Sequence, residues 1–511
     1  MLLPSSHRLA WLLAAVLCTG CASTRFENTP LSTAEPNPER RSIDVSDAQR
    51  PLVLIAISGG GSRAAALGWT ILRELRDQTI STGGGAPHSL ADDVGVVSSV
   101  SGGSVIAAHF ALAGKEGLED FRQNFLVPDN MEIIAADFLN PFAILGRSFA
   151  GESRTDAIRD MFDRELFHGK TFAAVNQPGK PYLILNATEM STGEVFAFTP
   201  GRFDDICASL DDQKLSVGVA ASSAVPIAVA PIALTNFSGP GCPAKPASSW
   251  PEKEVRKTYS PFINLEAFKR ARYAVDLRRS NDTAGPSDPP DFAQRRRIPY
   301  VYLLDGGMAD NLAVHGLMEV LSAPDGPHLI ANPLPGTTMT PGSLLAAING
   351  GALRTVVVIV INARAEPAND LALQATRPGI IPMISAVTSQ PIDSATTSIA
   401  SQMSVLMAQF NAASGGATGD PKFTGLRVYP VMIDFDQLPV ATPEQRALRE
   451  KVKNVPTSWK ITAGNLEAIQ QAGTVLLQRH PCYERLLLDL SAPASFVDAN
   501  WARTGCRFPS D

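Results

Sequence analysis

Short apolar runs bounded by glycine-rich turns alternate along this chain with longer segments whose apolar residues recur every three or four positions. PLVLIAIS (51–58) is apolar and ends in Gly59-Gly60-Gly61, the pattern of a buried strand. RAAALGWTILRELRDQ follows, with Leu67, Ile71 and Leu75 at i, i+4 and i+8, one apolar face of a helix. After the loop STGGGAPHS, VGVVSSV (94–100) repeats the strand pattern and Gly102 to Ala113 the helical one. Strand, helix, strand, helix predicts a parallel sheet covered by helices. Further strands are expected at PYLILNAT (181–188), continued by STGEVFAFTP as a hairpin, at YVYLL (300–304), at TVVVIVINA (355–363) and at LRVYPVMIDF (426–435). TVVVIVINA is the most β-branched and is expected to be central. Residues 119–165 and 384–410 read as mostly helical, and KLSVGVAASSAVP as a helix stopped by Pro226. Leu466, Ile469, Gly473 and Leu476 mark one face of a C-terminal helix.

Residues 238–299 break this rhythm and read as an insertion. Within it, PFINLEAFKRARYAVDLRRS (261–280) interleaves Phe262, Leu265 and Phe268 with Lys269, Arg270, Arg272, Arg278 and Arg279. Such a stretch is either a solvated lid or surface helix, or a face that lies on anionic lipid and guides acyl chains. The N-terminus is set apart as a targeting segment. It carries Arg8, an apolar core from Leu9 to Leu17 that is too short to span a bilayer, and Thr-Gly-Cys-Ala-Ser around Cys21. It resembles a bacterial lipoprotein signal peptide (1–20), with Cys21 as the lipid-bearing first mature residue, although Cys18 stands where that signal usually has Leu. The alternative is an ordinary secretory signal cleaved nearby. Ala22 resembles the residue of lipoproteins forwarded to the outer membrane, so a lipid-anchored place in a bacterial cell envelope is expected. Residues 21–49 read as a polar tether, 50–480 as the main domain and 481–511 as a tail packed on it.

Composition is ordinary for a globular chain: 511 residues, 45% hydrophobic and 18% charged. The formal charge of -6, without a basic stripe, excludes a nucleic-acid footprint. Beyond Cys18 and Cys21, four cysteines remain: Cys207, Cys242, Cys482 and Cys506. An even number in an exported chain predicts disulfides. Local pairing gives Cys207–Cys242 and Cys482–Cys506, with the other two connectivities open. No CxxC or Cys/His spacing argues for zinc, and no metal or organic cofactor is implied.

Three stretches carry candidate chemistry. VGVVSSVSGGSV (94–105) places Ser101 between a strand and a glycine pair. A serine hydroxyl is a competent nucleophile only with a base for its proton and donors for the oxyanion. A tight strand-to-helix turn exposes the side chain and aims the following amide at substrate, usually as G-x-S-x-G. Here the five residues are Ser99-Val100-Ser101-Gly102-Gly103, with Ser99 in place of the first glycine. The plainer alternative is a serine that only caps a helix. Upstream, Gly59-Gly60-Gly61-Ser62-Arg63 joins the first strand to the first helix. Consecutive glycines let amides face an anion, and the helix N-terminus adds partial positive charge. Neither G-x-G-x-x-G nor G-x-x-x-x-G-K-[ST] occurs there, which favours an oxyanion over a nucleotide phosphate. Leu304-Asp305-Gly306-Gly307 sets a carboxylate at a strand end, where sites of parallel sheets collect; the alternative is a plain Asp-Gly turn.

Together GGGSR (59–63), SVSGG (99–103) and DGG (305–307) resemble, in order, the motifs of the patatin-like phospholipases. LNATEMSTGEVFAF (185–198), AASSAVPIAVAPI (220–232), Asn311 in DGGMADN and NVPTSWKI (454–461) are similar to further family segments. The likeness implies a three-layer α/β/α fold with a mostly parallel central sheet, here with a lid-like insertion. It implies a Ser–Asp dyad without histidine, acting on phospholipid or another acyl-ester lipid. By that resemblance Ser101 is the nucleophile, Asp305 the base, and the amides of Gly59, Gly60, Gly61 and Gly102 the oxyanion hole. Arg63 orients the glycine loop, meets a substrate phosphate, or forms a structural ion pair. Two other readings stay open: a lipid acyltransferase, and a non-catalytic lipid-binding envelope lipoprotein. A Ser101…Asp305…His480 triad has the chain order of ordinary α/β-hydrolases, but His480 stands at a helix end beside Pro481, and His109 and His315 lie within helices. The glycine loop favours the dyad.

Overall fold

The computed structural model describes residues 28–33, 42–44, 47, 49–82, 85–139, 154–226, 229–243, 273–279, 298–314, 317, 328–330, 353–365, 426–492 and 506. The signal segment with Cys21, the predicted helix at 384–410, and most of the insertion lie outside these residues.

One eight-stranded sheet organises the chain. Its strands are β1 (Leu52–Ile57), β2 (Val94–Val100), β3 (Tyr182–Glu189), β4 (Val195–Phe198), β5 (Ile232–Thr235), β6 (Tyr300–Asp305), β7 (Thr355–Asn362) and β8 (Arg427–Asp434). They lie in the order β8-β7-β1-β2-β3-β6-β5, with β4 also paired to β3. The first five of that order run parallel. β4 and β6 run antiparallel to β3, and β5 antiparallel to β6. Every residue of β1 and β7 is buried, so the sheet is covered on both faces. This is why both strands read as unbroken apolar runs instead of alternating ones. The expected mostly parallel α/β architecture is therefore present. β5 follows Pro231 and was not expected as a strand. It adds to the edge formed by β6, whose Tyr300 and Tyr302 are exposed while Val301 and Leu303 face the core.

Helix α1 (Gly61–Asp77) leaves β1 and α2 (Gly102–Ala113) leaves β2. Leu67, Ile71 and Leu75, the predicted face of α1, are fully buried. α3 (Leu215–Ser222) ends four residues before Pro226, and its continuation turns along β6. α4 (Ala463–Gln478) packs on α1, where a Cβ at Gly473 would stand 2.9 Å from the Thr70 Cγ2. α5 (Pro481–Ser491) is the last described helix.

Cys207 pairs with Cys242 and Cys482 with Cys506, at Cα separations of 5.8 and 5.5 Å. The first bridge lies where the insertion leaves the domain. The described end of the insertion is bonded there too. Arg278 is completely buried, with Nη1 donating to Glu189 at 2.5 Å and Nη2 to Asp205 at 3.4 Å. Its carbonyl accepts from Asn236 and Ser238, and Arg279 donates to the Asp204 carbonyl. Arg278 and Arg279 therefore do not belong to an exposed basic face, as the amphipathic reading held. A buried carboxylate requires a partner charge, and Arg278 supplies it to Glu189.

Candidate active site

Ser101 and Asp305 are 204 positions apart in sequence, and the sheet register brings them together. β2 runs along one edge of β3 and ends with Val100 opposite Asn186. β4 occupies the other edge of β3, opposite Leu185 to Thr188. β6 pairs with Ala187, Thr188 and Glu189, so it must lie on the β2 side, arriving from the opposite direction. Its last residue, Asp305, stands opposite Ala187, one position beyond the end of β2. Ser101 and Asp305 thus meet at a seam between two strands aimed at each other. The Ser101 side chain lies close enough to the Asp305 carboxylate to favour its ionised form.

Ser101 has φ 52° and ψ −124°, a left-handed conformation that costs a non-glycine residue about 1–3 kcal/mol. The glycines behind it are required by contact. A Cβ on Gly102 would stand 2.0 Å from the Gly61 carbonyl oxygen, and one on Gly103 would stand 2.6 Å from that of Ser58. Ser99, in place of the usual first glycine, is fully buried and accommodated: its hydroxyl lies 3.2 Å from that of Ser104.

The glycine loop approaches from β1. Gly60 and Gly61 have φ 138° and 60°, which only glycine adopts without strain. The amides of Gly60, Gly61 and Gly102 meet no acceptor among the described residues, and they sit at the N-termini of α1 and α2. Two helix ends therefore converge beside the Ser101 hydroxyl, the arrangement that stabilises developing negative charge. Gly59 departs from expectation. Its amide donates to the Asn311 carbonyl at 3.2 Å, which ties the loop to the segment after Asp305 and leaves no N–H for an oxyanion.

Arg63 also departs from the reading that gave it a substrate phosphate or an ion pair. It is 3% exposed, and its Nε donates to the Ala363 carbonyl at 2.7 Å. Its remaining donors reach the Val455 carbonyl and, at 3.2 Å, the Thr457 hydroxyl. Burial lowers its pKa to about 10. The guanidinium braces the glycine loop against the end of β7 and the segment 455–458, where Ser62 also donates to the Ser458 carbonyl at 2.8 Å.

Asp305 is 7% exposed, and burial raises its pKa to about 6. The Gly307 amide, at 2.8 Å from Oδ1, and the Ser101 hydroxyl partly offset that rise by stabilising the carboxylate. A carboxyl near pH 6 is ionised at neutral pH yet basic enough to take a proton, which an ordinary aspartate is not. Thr188 holds the backbone: its hydroxyl donates to the Asp305 carbonyl at 2.8 Å.

The histidines stand elsewhere. His480 caps α5, its Nδ1 facing the Cys482 amide and its Nε2 the Met432 amide of β8. Burial lowers its pKa to about 4, and β7 and β1 separate β8 from the Ser101 strand. His109 lies within α2 with Nε2 2.9 Å from the Gly117 carbonyl oxygen. His315 lies outside the described residues. Sequence reasoning missed Ser222, Asn186 and Ser104, whose side chains underlie the turn. Their signals were the serine-rich AASSAVP stretch for Ser222, the LNATEM segment for Asn186 and the serine after Gly102-Gly103 for Ser104.

Fold and site together define an α/β protein with a Ser–Asp pair at the carboxyl edge of its sheet. The patatin-like phospholipase family model matches residues 55–318, which hold both side chains and the glycine loop, and the chain belongs to that family. No curated protein matches the sequence. Among solved structures it is similar to human GIVD cytosolic phospholipase A2, with 12% identity, a TM-score of 0.40, and coverage of 87% of this chain and 62% of that one. The same human enzyme with methyl gamma-linolenyl fluorophosphonate gives 12% identity, a TM-score of 0.41, and coverage of 91% and 65%. With that inhibitor and terbium chloride it gives 12%, 0.40, 92% and 66%. This chain therefore spans less than two thirds of those proteins' length.

Proposed function

We propose that this protein is a serine acyl-ester hydrolase acting on lipids, of the phospholipase A or lysophospholipase type. The observation that carries the reading is the strand register that brings Asp305 to Ser101, with Ser101 on a strained turn beside the amides of the glycine loop. Family membership supports a lipid ester as substrate. In this mechanism the Ser101 Oγ attacks the acyl carbonyl and its proton passes to Asp305. The oxyanion is held by the amides of Gly60, Gly61 and Gly102. Collapse of the tetrahedral intermediate breaks the ester C–O bond, and the leaving alkoxide takes the proton from Asp305. Water then attacks the acyl-enzyme, giving a proton to Asp305, and Ser101 leaves as that proton returns to its Oγ.

The N-terminal signal motif supports export and lipidation at Cys21, which would hold the enzyme on a bacterial envelope membrane beside its substrate. Among the described residues no helix is long and apolar enough to cross a membrane. The test is turnover of medium-chain aryl esters and of mixed phospholipid vesicles by wild type, Ser101→Ala and Asp305→Asn. Loss of both activities in both folded variants is expected. Retained hydrolysis in Ser101→Ala overturns the reading.

A further inference from the structure

The conformation of Ser101 is unfavourable on its own, so something outside the turn must hold it. The bond within the turn, from the Ser104 amide to the Ser101 carbonyl at 2.8 Å, leaves the Ser101 amide unfastened. That amide donates instead to the Ser222 Oγ at 2.9 Å, across 121 residues. Ser222 is fully buried at the end of α3. A hydroxyl has one proton and two lone pairs. The Ser222 proton goes to the Asn186 carbonyl at 2.6 Å. The Ser104 hydroxyl lies 2.8 Å away and faces the second lone pair, its one proton shared with its 3.2 Å contact to the Ser99 hydroxyl. Ser222 is thereby saturated. Asn186 in turn donates from Nδ2 to the Ser98 hydroxyl at 2.9 Å and the Ser99 carbonyl at 3.0 Å, joining the ends of β2 and β3.

The same short segment also holds the other partner. The Ser222 carbonyl accepts from the Gly306 amide at 3.1 Å, and the Ala224 carbonyl accepts from the Asp305 amide at 2.9 Å. One segment is therefore bonded to the backbone of both reacting residues. Its side-chain oxygen fixes the Ser101 turn, and its carbonyls fix the Asp305 turn.

We propose that Ser222 is a positioning residue: through its hydroxyl on the Ser101 amide and its backbone on the Asp305 turn, it sets the separation of nucleophile and base. It touches neither substrate nor the proton in flight. The inference rests on the reading of Ser101 as nucleophile and Asp305 as base. It also explains why the Ser101 amide is not among the oxyanion donors, since it is turned toward Ser222.

The test uses the full mature chain and a fluorophosphonate probe, which phosphonylates an activated serine. The Ser101 oxygen bonds to phosphorus, the P–F bond breaks, fluoride leaves and Asp305 receives the proton. Ser222→Ala leaves the Ser101 amide and the Asn186 carbonyl without their partner. The labelling rate and kcat on an aryl ester are expected to fall about 10- to 100-fold, with KM within about threefold. The pH midpoint near 6 set by Asp305 should not move. Ser223→Ala is the control: that hydroxyl is buried and meets no partner among the described residues, and its loss should leave the rate unchanged. A wild-type rate in Ser222→Ala, or a rise in KM at constant kcat, overturns the proposal. If Ser222→Ala does not fold, Ser222→Thr and Ser222→Val decide the matter, since they differ in one oxygen. A fast Thr and slow Val variant support it, and equal rates overturn it. Failure of the underlying reading looks different: wild type itself would then take up no label at Ser101.

Discussion

Gly102→Ala is the sharpest perturbation of the oxyanion geometry. The added Cβ would stand 2.0 Å from the Gly61 carbonyl oxygen and 2.5 Å from the Gly61 nitrogen and carbon. Ordinary van der Waals contact begins at 3.4 Å, so the two turns must separate by about 1.4 Å (3.4 − 2.0). The atoms met are backbone, which cannot swing aside as a side-chain end would. Both turns begin helices, α1 and α2, whose amides are the proposed donors. Opening them moves those donors out of reach of the oxyanion, and a displacement of this size costs about 100-fold in rate. Overpacking of this kind costs roughly 1–3 kcal/mol of stability, so the variant should still fold. The assay is kcat on a medium-chain aryl ester together with a thermal melt. Gly114→Ala serves as the control. Its φ is +69°, but a Cβ there meets nothing within 4 Å. It should lose about 1–3 kcal/mol of stability and no activity. Wild-type kcat in a folded Gly102→Ala protein would refute the convergence of the two helix ends as the oxyanion site.

Arg63→Lys cannot reproduce three contacts in different directions. It should lower kcat on an uncharged aryl ester as much as on phospholipid vesicles, whereas a loss confined to phospholipid would mean substrate contact after all. Arg278→Ala should destabilise the protein by about 3–5 kcal/mol in a denaturant melt, because it strands the buried carboxylate of Glu189, whereas Asp205 keeps Arg202. Asp305→Asn should stabilise the fold at pH 7–8. The folded pKa of about 6 lies above the ordinary aspartate value of 3.8, so the ionised carboxylate costs stability as pH rises between them. Removing it returns up to about 3 kcal/mol, and the advantage should vanish below pH 4.

The parallel half of the fold was legible because burial on both faces leaves unbroken β-branched runs, as in TVVVIVINA, and because each strand end carries its glycines. The antiparallel edge was less so. β5 is four residues long, and its apolar run merges with the segment before it, so no period separated it from a loop. Ser101, Asp305 and the glycine loop could be read because their chemistry is written in adjacent residues. Ser222 could not, because its role exists only through a bond spanning 121 positions. Gly59 was misassigned, and the phosphate and ion-pair alternatives for Arg63 failed, for a related reason, while its loop-orienting alternative holds. Sequence places a donor beside the site but not the acceptor that already engages it: here the Ala363 and Asn311 carbonyls. Arg278 shows the same limit, since a basic stretch looks solvated until its buried carboxylates, Glu189 and Asp205, are in view.

The central claim is that Asp305 activates Ser101, and the rate of fluorophosphonate labelling at Ser101 as a function of pH tests it most directly. The account predicts a rate that is low in acid and rises through a midpoint near pH 6, with the adduct mapped to Ser101 by mass spectrometry. It predicts that Asp305→Asn, though folded and more stable, labels slowly at every pH with that midpoint gone. Labelling of Asp305→Asn at the wild-type rate with the same midpoint would contradict it.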